Sequence, residues 1–375
     1  MGAKSIDART GLEIGTTFAA AFERDTPRAC PSATVQHSEP LGSVLGDTPI
    51  RLSGFFGDKW RADQLEEALN KDEEVIMHLS WHAAADARSV SNGSIISPAI
   101  RSLSLREGLR LLHLGVSGRG LPAYIRQSDL QQQPMLRTLE PVAQALQHAG
   151  ARLHKAGMWL GDASMISTLH HDDYHNILLQ LGGTKRVLLL PPSLQPTLDL
   201  RTYDEERWEY SPSLGKLSDV PVKTHRRIDN FYHLDVFNGS VASDDTLAEL
   251  APRGLLCDLS AGQALYIPYP WAHAVLSSND ASGFGLNLAV NVWWETHEQH
   301  FHKKLVQYGC TALAVAFYVL SMRPQLMNAL NPWGKRAASA ELGQERREER
   351  SASATSTGKA HGGKHKGKHG KGGRS

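Results

Sequence analysis

The sequence predicts an α+β chain dominated by strands, with an α/β region before a barrel and helices after it. Three observations point there. Apolar runs of strand length end at turn residues, as Val187–Leu190 ends at Pro191-Pro192. Gly182-Gly183 lies between two such runs, where a hairpin turn belongs. A His-x-Asp pair and a distant histidine converge when separate strands of one barrel carry them.

The elements follow in chain order. Residues 1–44 show little periodicity and read as a mobile leader. From about residue 45 a compact domain is expected. It starts with a short strand at Pro49–Leu52, a turn at Gly54–Gly57, a helix over Ala62–Asn70 and a strand at Val75–Leu79. From 103 to 150 apolar residues recur at helical spacing: Leu105, Leu109 and Leu112, then Leu136, Leu139, Val142 and Leu146. The barrel spans 158–294 and is interrupted by a polar insert from about 199 to 250. His300 to Trp333 reads as helices. The apolar run Thr311–Met322 falls short of the ~20 residues a membrane span requires. A packed helix or dimer face over 301–334 is expected there, and no membrane span. Beyond 335 the composition turns to Glu/Arg, then Ser/Ala/Thr, then Lys/His/Gly, with almost no large apolar residues. That segment reads as a disordered basic tail.

The chemistry concentrates in His170-His171-Asp172-Asp173-Tyr174-His175-Asn176, with Lys185 and His273 downstream. Two imidazoles and one carboxylate form the ligand set of a non-haem Fe(II) facial triad, which leaves positions open for a cosubstrate and O2. Two His-x-Asp pairs overlap, and on a strand they face opposite ways. Asn176 shares the parity of His170 and Asp172, whereas Ile177, Leu179 and Leu181 follow His171 into an apolar layer. His170, Asp172 and His273 are therefore the expected metal ligands.

The run Ser167-Thr168-Leu169-His170-His171-Asp172, then Asn176 through Val187, then Pro191-Pro192, resembles the core of the JmjC family of 2-oxoglutarate oxygenases, and within it the small hydroxylases. Gly262 to Pro268 with Trp271 and His273, and Asn287 to Trp294, resemble two further blocks of that family in the same order. Ile228-Asp229-Asn230 stands where these hydroxylases often carry an aspartate-asparagine pair. The resemblance covers roughly 45–300 and implies a double-stranded β-helix, the jelly-roll or cupin barrel. It also implies Fe(II), 2-oxoglutarate and O2 as cofactor and cosubstrates. By position, Lys185 and Ser167 would hold the distal carboxylate of 2-oxoglutarate and Tyr124 would reach the same molecule. Asn176 and Asn291 would line the iron side, and Trp293 would pack near the metal. Two departures are Gln263, at a turn where an acidic residue is usual, and Ala272, where a bulky aromatic is common and whose small size implies a roomier pocket.

The implied function is hydroxylation of a protein side chain with release of succinate and CO2. A tRNA-modifying hydroxylase, a histone lysine demethylase and a non-catalytic cupin-type binding module are the alternatives. The basic tail mildly favours an RNA partner, because Lys/Arg clusters attract phosphate. The family also favours a homodimer through the C-terminal helices. Cys30, Cys257 and Cys310 are too few and too scattered for a disulfide framework or a zinc cluster. No signal-peptide pattern opens the sequence, and Ile6 breaks a myristoylation motif. An intracellular protein, cytoplasmic or nuclear, is expected.

Overall fold

The computed structural model describes residues 4–6, 13–15, 18–25, 30–35, 45–54, 74–81, 87–88, 93–116, 119–127, 151–161, 165–237, 244–278 and 285–296, with 301 and 304. The expected helix at 62–70, the helices of 301–334 and the basic tail lie outside the described residues, apart from those last two positions.

Two sheets face each other. In the first, the central strands run in the order Ala264–Ile267, His175–Gly182, Asn287–Thr296, Ala151–Gly161. In the second the order is Leu255–Ser260, Thr184–Leu190, Ala272–Ser278, Ile166–His170. From Ala151 to Thr296 the chain passes back and forth between the sheets, and paired neighbours are antiparallel. This is the jelly-roll barrel expected from the sequence.

The central strands are covered on both faces and so read as continuous apolar runs. His175–Gly182 is buried at every position after His175. Its outward residues Ile177, Leu179 and Leu181 pack with Met158, Leu160, Val290 and Val292, and the helix Leu105–Val116 covers this layer with Leu105 and Leu112. Behind the second sheet, Leu188, Leu190, Ala272 and Ala274 pack against Phe18, Phe22, Leu247 and Leu250. Inside the barrel Leu178, Val187, Leu189, Leu265 and Ile267 form a third cluster. Ala272 thus lies in the layer behind the sheet, because it alternates with His273. Its small side chain therefore adds no room to the pocket.

Other expectations need adjusting. The helix Leu105–Val116 is followed by a strand, Ala123–Gln127, paired with Ala151–Gly161 and Glu74–Leu79, while the helical spacing at Leu136, Leu139, Val142 and Leu146 lies outside the described residues. Leucine spacing alone missed this because Pro122 and the Tyr-Ile pair after it favour extended backbone. The segment read as a polar insert carries strands Leu200–Arg207 and Val222–Tyr232, which extend the second sheet beside Ile166–His170, and the helix Asp244–Leu250. Its outer positions are solvated, which is why it reads as polar. Cys30 and Cys257 form a disulfide despite lying 227 positions apart, a pairing that sequence distance conceals. No helix among the described residues is long and apolar enough to cross a membrane.

Gly183 makes the turn by which the chain crosses from the first sheet to the second and places Lys185. It is not the hairpin turn expected at Gly182-Gly183, because His175–Gly182 and Thr184–Leu190 pair with different strands and not with each other. Its φ is +73°, and a Cβ there would meet Asn287 Nδ2 at 2.7 Å and the Ser278 carbonyl oxygen at 2.8 Å. That amide donates to the Thr184 and Ser278 carbonyls and ties three strands together. Gly183→Ala is expected to lose about 1–3 kcal/mol from backbone strain alone, with more from the clash, readable in urea denaturation.

Candidate metal centre

A cavity of about 500 Å³ lies between the inner faces of the two sheets. Its walls include His170, Asp172, His273, Lys185, Ser167, Tyr124, Asn176, Asn291 and Trp293, every site residue expected from the sequence.

His170 ends the strand Ile166–His170 and pairs in register with His273 on the neighbouring strand, their ring centroids 4.3 Å apart. Asp172 lies in the loop that follows, so the two ligand positions do not share one strand as the i, i+2 argument assumed. The loop performs the convergence instead. One candidate donor atom from each of the three residues lies within 4.8 Å of the others, and His273 Nε2 is 3.8 Å from Asp172 Oδ2.

The surrounding hydrogen bonds leave the correct atoms free. His170 Nδ1 lies 2.7 Å from the Thr168 carbonyl and His273 Nδ1 lies 3.3 Å from the Trp271 carbonyl. A carbonyl oxygen only accepts, so each Nδ1 carries the proton and each Nε2 keeps its lone pair for an ion. Asp172 Oδ2 accepts from Trp293 Nε1 at 2.9 Å and from Asn176 Nδ2 at 3.0 Å. Asn291 Nδ2 donates to Asn176 Oδ1 at 2.9 Å and thereby fixes the orientation of that amide. These bonds hold the Asp172 carboxylate beside His273 Nε2.

The protonation states suit an ion. Burial pushes His273 down to about 4, helped by the neighbouring His170, so its imidazole is neutral. Burial opposes the charge on Asp172, yet His273, His170 and the Trp293 and Asn176 hydrogen bonds hold its carboxyl below the usual range. Two imidazoles and one ionised carboxylate are a donor set that fits a divalent transition metal at an open site. The competing pair does not assemble. His171 turns away to Tyr232, with centroids 5.5 Å apart, and Asp173 is exposed.

Lys185 is on the cavity wall, with Nζ donating to Ser277 Oγ at 2.7 Å. Burial lowers its amine to about 7, and among the described residues it has no carboxylate partner. A cation shut inside the barrel without a counter-charge suits an anionic ligand. Ser277 was not anticipated, although strand parity could have found it, since His273, Val275 and Ser277 alternate onto one face. Ser167 and Tyr124 also line the cavity, Tyr124 stacked between His78 at 4.6 Å and Trp159 at 5.6 Å. Trp271, in contrast, donates to the Asp47 carbonyl, and Trp294 is in the core.

Trp293 makes its own expectation. Trp293→Phe removes one of the two hydrogen bonds that orient Asp172. Metal affinity is expected to fall roughly 10–100-fold, with the far-UV circular dichroism unchanged.

Comparison with known proteins agrees with this geometry. The cupin-like domain family matches residues 52–300. The human bifunctional peptidase and (3S)-lysyl hydroxylase JMJD7 is 27% identical over 228 residues, 59% of this chain and 68% of that protein. The Arabidopsis thaliana lysine-specific demethylase JMJ31 is 30% identical over 148 residues, 39% of this chain. The Neurospora crassa tRNA wybutosine-synthesizing protein 4 is 23% identical over 282 residues, 72% of this chain. The matches span only 22% and 20% of those two longer relatives.

Proposed function

The chain belongs to the cupin-like family that includes the JmjC-type Fe(II)- and 2-oxoglutarate-dependent oxygenases, and from that premise we propose that it hydroxylates a protein side chain. 2-Oxoglutarate and O2 are consumed, and succinate and CO2 are released. The observation that carries this reading is one cavity holding both the His170, Asp172, His273 donor set and the uncompensated Lys185.

His170, Asp172 and His273 would hold Fe(II), which when bound supplies O2 activation and the oxidising power for a C–H bond. The rest is positioning by the protein. Lys185, steadied by Ser277, meets the distal carboxylate of 2-oxoglutarate with a compact charge, and Ser167 and Tyr124 supply hydroxyls on the same side. Asn291 orients Asn176, and Asn176 with Trp293 keeps Asp172 turned to the ion. Leu178, Ile267 and Val275 shield the cavity from bulk water and so strengthen each polar contact within it.

A protein substrate is favoured because the human relative, named as a lysyl hydroxylase, aligns over most of its own length. The tRNA-modifying relative aligns over a fifth of its length. A cytoplasmic or nuclear location and a homodimer through residues 301–334 complete the reading.

The test is succinate formation from 2-oxoglutarate with added Fe(II). Wild type is expected to turn over slowly without substrate, and His170→Ala and Lys185→Ala are expected to abolish it. A wild type that forms no succinate and binds neither Fe(II) nor 2-oxoglutarate would sink the catalytic reading and leave a binding module.

A further inference from the structure

The inner face of the first sheet carries two cations that the proposed reaction does not use. Lys155, Gly157, Trp159 and Gly161 alternate toward the cavity, while Ala156, Met158 and Leu160 pack into the core. Arg126 pairs in register with Trp159, and Lys155 pairs with Trp293. Each cation lies over an indole: Arg126 at 4.8 Å from the Trp159 ring centre and Lys155 Nζ at 4.7 Å from that of Trp293. Cation–π contact holds each cation in place but leaves its N–H groups available. Among the described residues neither Arg126 nor Lys155 makes an ion pair or a hydrogen bond.

Carboxylates act on Lys155 only from beyond ion-pair distance: Asp172 and Asp173 favour its charge, while burial and Arg126 oppose it. Glu205 is buried and committed to Arg207 at 3.0 Å, Ser97 at 2.6 Å and Thr224 at 2.7 Å, with Arg226 at 3.8 Å. Asp172 belongs to the metal set. Asp173 is exposed, and Lys185 is reserved for the cosubstrate. His78, packed on Tyr124, stays neutral because burial, Arg126 and Arg207 all oppose its charge.

We propose that Lys155 and Arg126 form a carboxylate-binding subsite, so that the residue presented to the metal centre is an aspartate or glutamate of a protein substrate. The proposal deepens the dioxygenase reading and rests on it. Trp293 supplies the distance argument, since its ring carries Lys155 while its N–H holds Asp172. A carboxylate on Lys155 is therefore one indole away from the metal ligands, within reach of an acidic side chain whose methylene is to be oxidised. A lysine or arginine target would meet two like charges at the same place. A nucleobase would need an open aromatic face on which to stack, and Arg126 and Lys155 already cover both indoles.

Affinity selection tests this on the full chain, without turnover. The immobilised protein is offered a degenerate peptide library with a fixed central Asp, Glu, Asn or Lys, together with a single-stranded RNA decamer pool. Asp- and Glu-centred peptides are expected to be retained roughly ten-fold over Lys-centred ones, the worth of one charge-assisted contact. Lys155→Met and Arg126→Met should each erase that preference, Lys155→Arg should keep it, and Lys155→Glu should invert it toward Lys. Equal retention of acidic and Lys-centred peptides by wild type would overturn the proposal. So would an acidic preference that survives in folded Lys155→Met and Arg126→Met, or capture of the RNA pool in place of peptide. Succinate formation measured on the same preparation separates the two readings. Acidic selectivity with neither succinate nor Fe(II) and 2-oxoglutarate binding leaves the subsite and removes the oxygenase, while succinate without acidic selectivity does the reverse.

Discussion

Asp172→Asn is expected to give a folded protein that no longer retains a divalent metal. The substitution keeps the shape of the side chain, and the amide oxygen can still accept from Trp293 Nε1 and Asn176 Nδ2. What disappears is the negative charge facing His170 and His273. A neutral amide is a poor ligand for a hard divalent ion, and one of three protein donors is lost. Disturbing a residue that merely orients a metal ligand already costs roughly 10–100-fold in affinity, so the loss here should exceed about 100-fold. Metal content after dialysis against Fe(II) or Mn(II) measures it, and thermal denaturation of the apo form checks that the fold survives. Metal retained at wild-type stoichiometry would remove Asp172 from the ligand set.

Lys185→Met should separate cosubstrate binding from folding. Methionine fills similar volume without a charge. Loss of a cation that pairs with a sequestered carboxylate typically costs 2–5 kcal/mol, so 2-oxoglutarate affinity should fall by at least roughly thirty-fold. The apo protein should gain stability in a pH-dependent way. Burial lowers the folded-state value to about 7 against 10.5 in the unfolded chain. The unfolded state therefore binds the extra proton between those values, and wild-type stability rises with pH across that window. Below pH 7 the buried ammonium costs up to about 5 kcal/mol, from about 1.4 kcal/mol per unit. The advantage of Lys185→Met should accordingly be largest at pH 6 and shrink toward pH 10. A bound dicarboxylate restores the charge, so 2-oxoglutarate affinity in wild type should weaken as pH rises above 7. Calorimetry in buffers of different ionisation enthalpy should register proton uptake at pH 8. Binding independent of pH from 6 to 9 would mean that Lys185 is already charged and paired in the apo protein.

Residues that carry unusual chemistry in a fixed order were legible without coordinates. His170, Asp172, Lys185 and His273 stand out because imidazole, carboxylate and amine have little reason to interrupt apolar strands. Strand alternation likewise separates Asn176, on the cavity side, from Ile177, Leu179 and Leu181, which pack on the opposite face of the strand. Ser277 follows His273 by four positions, and Lys155 shares a face with Trp159, yet neither belongs to a recognisable pattern.

By itself, the sequence determined the donor types and the opposite faces of Asn176 and Ile177, while the barrel followed from the resemblance of its ordered motifs. The first two depend on local alternation and on side-chain chemistry, both of which are written along the chain. Tertiary structure alone decided that Asp172 reaches the site from a loop, that the polar segment after Asp199 joins the second sheet, and that Cys30 meets Cys257. It also laid Lys155 and Arg126 on two indoles inside the cavity. Those outcomes depend on which strands become neighbours and at what register, and contacts between distant strands leave no periodic trace in one sequence.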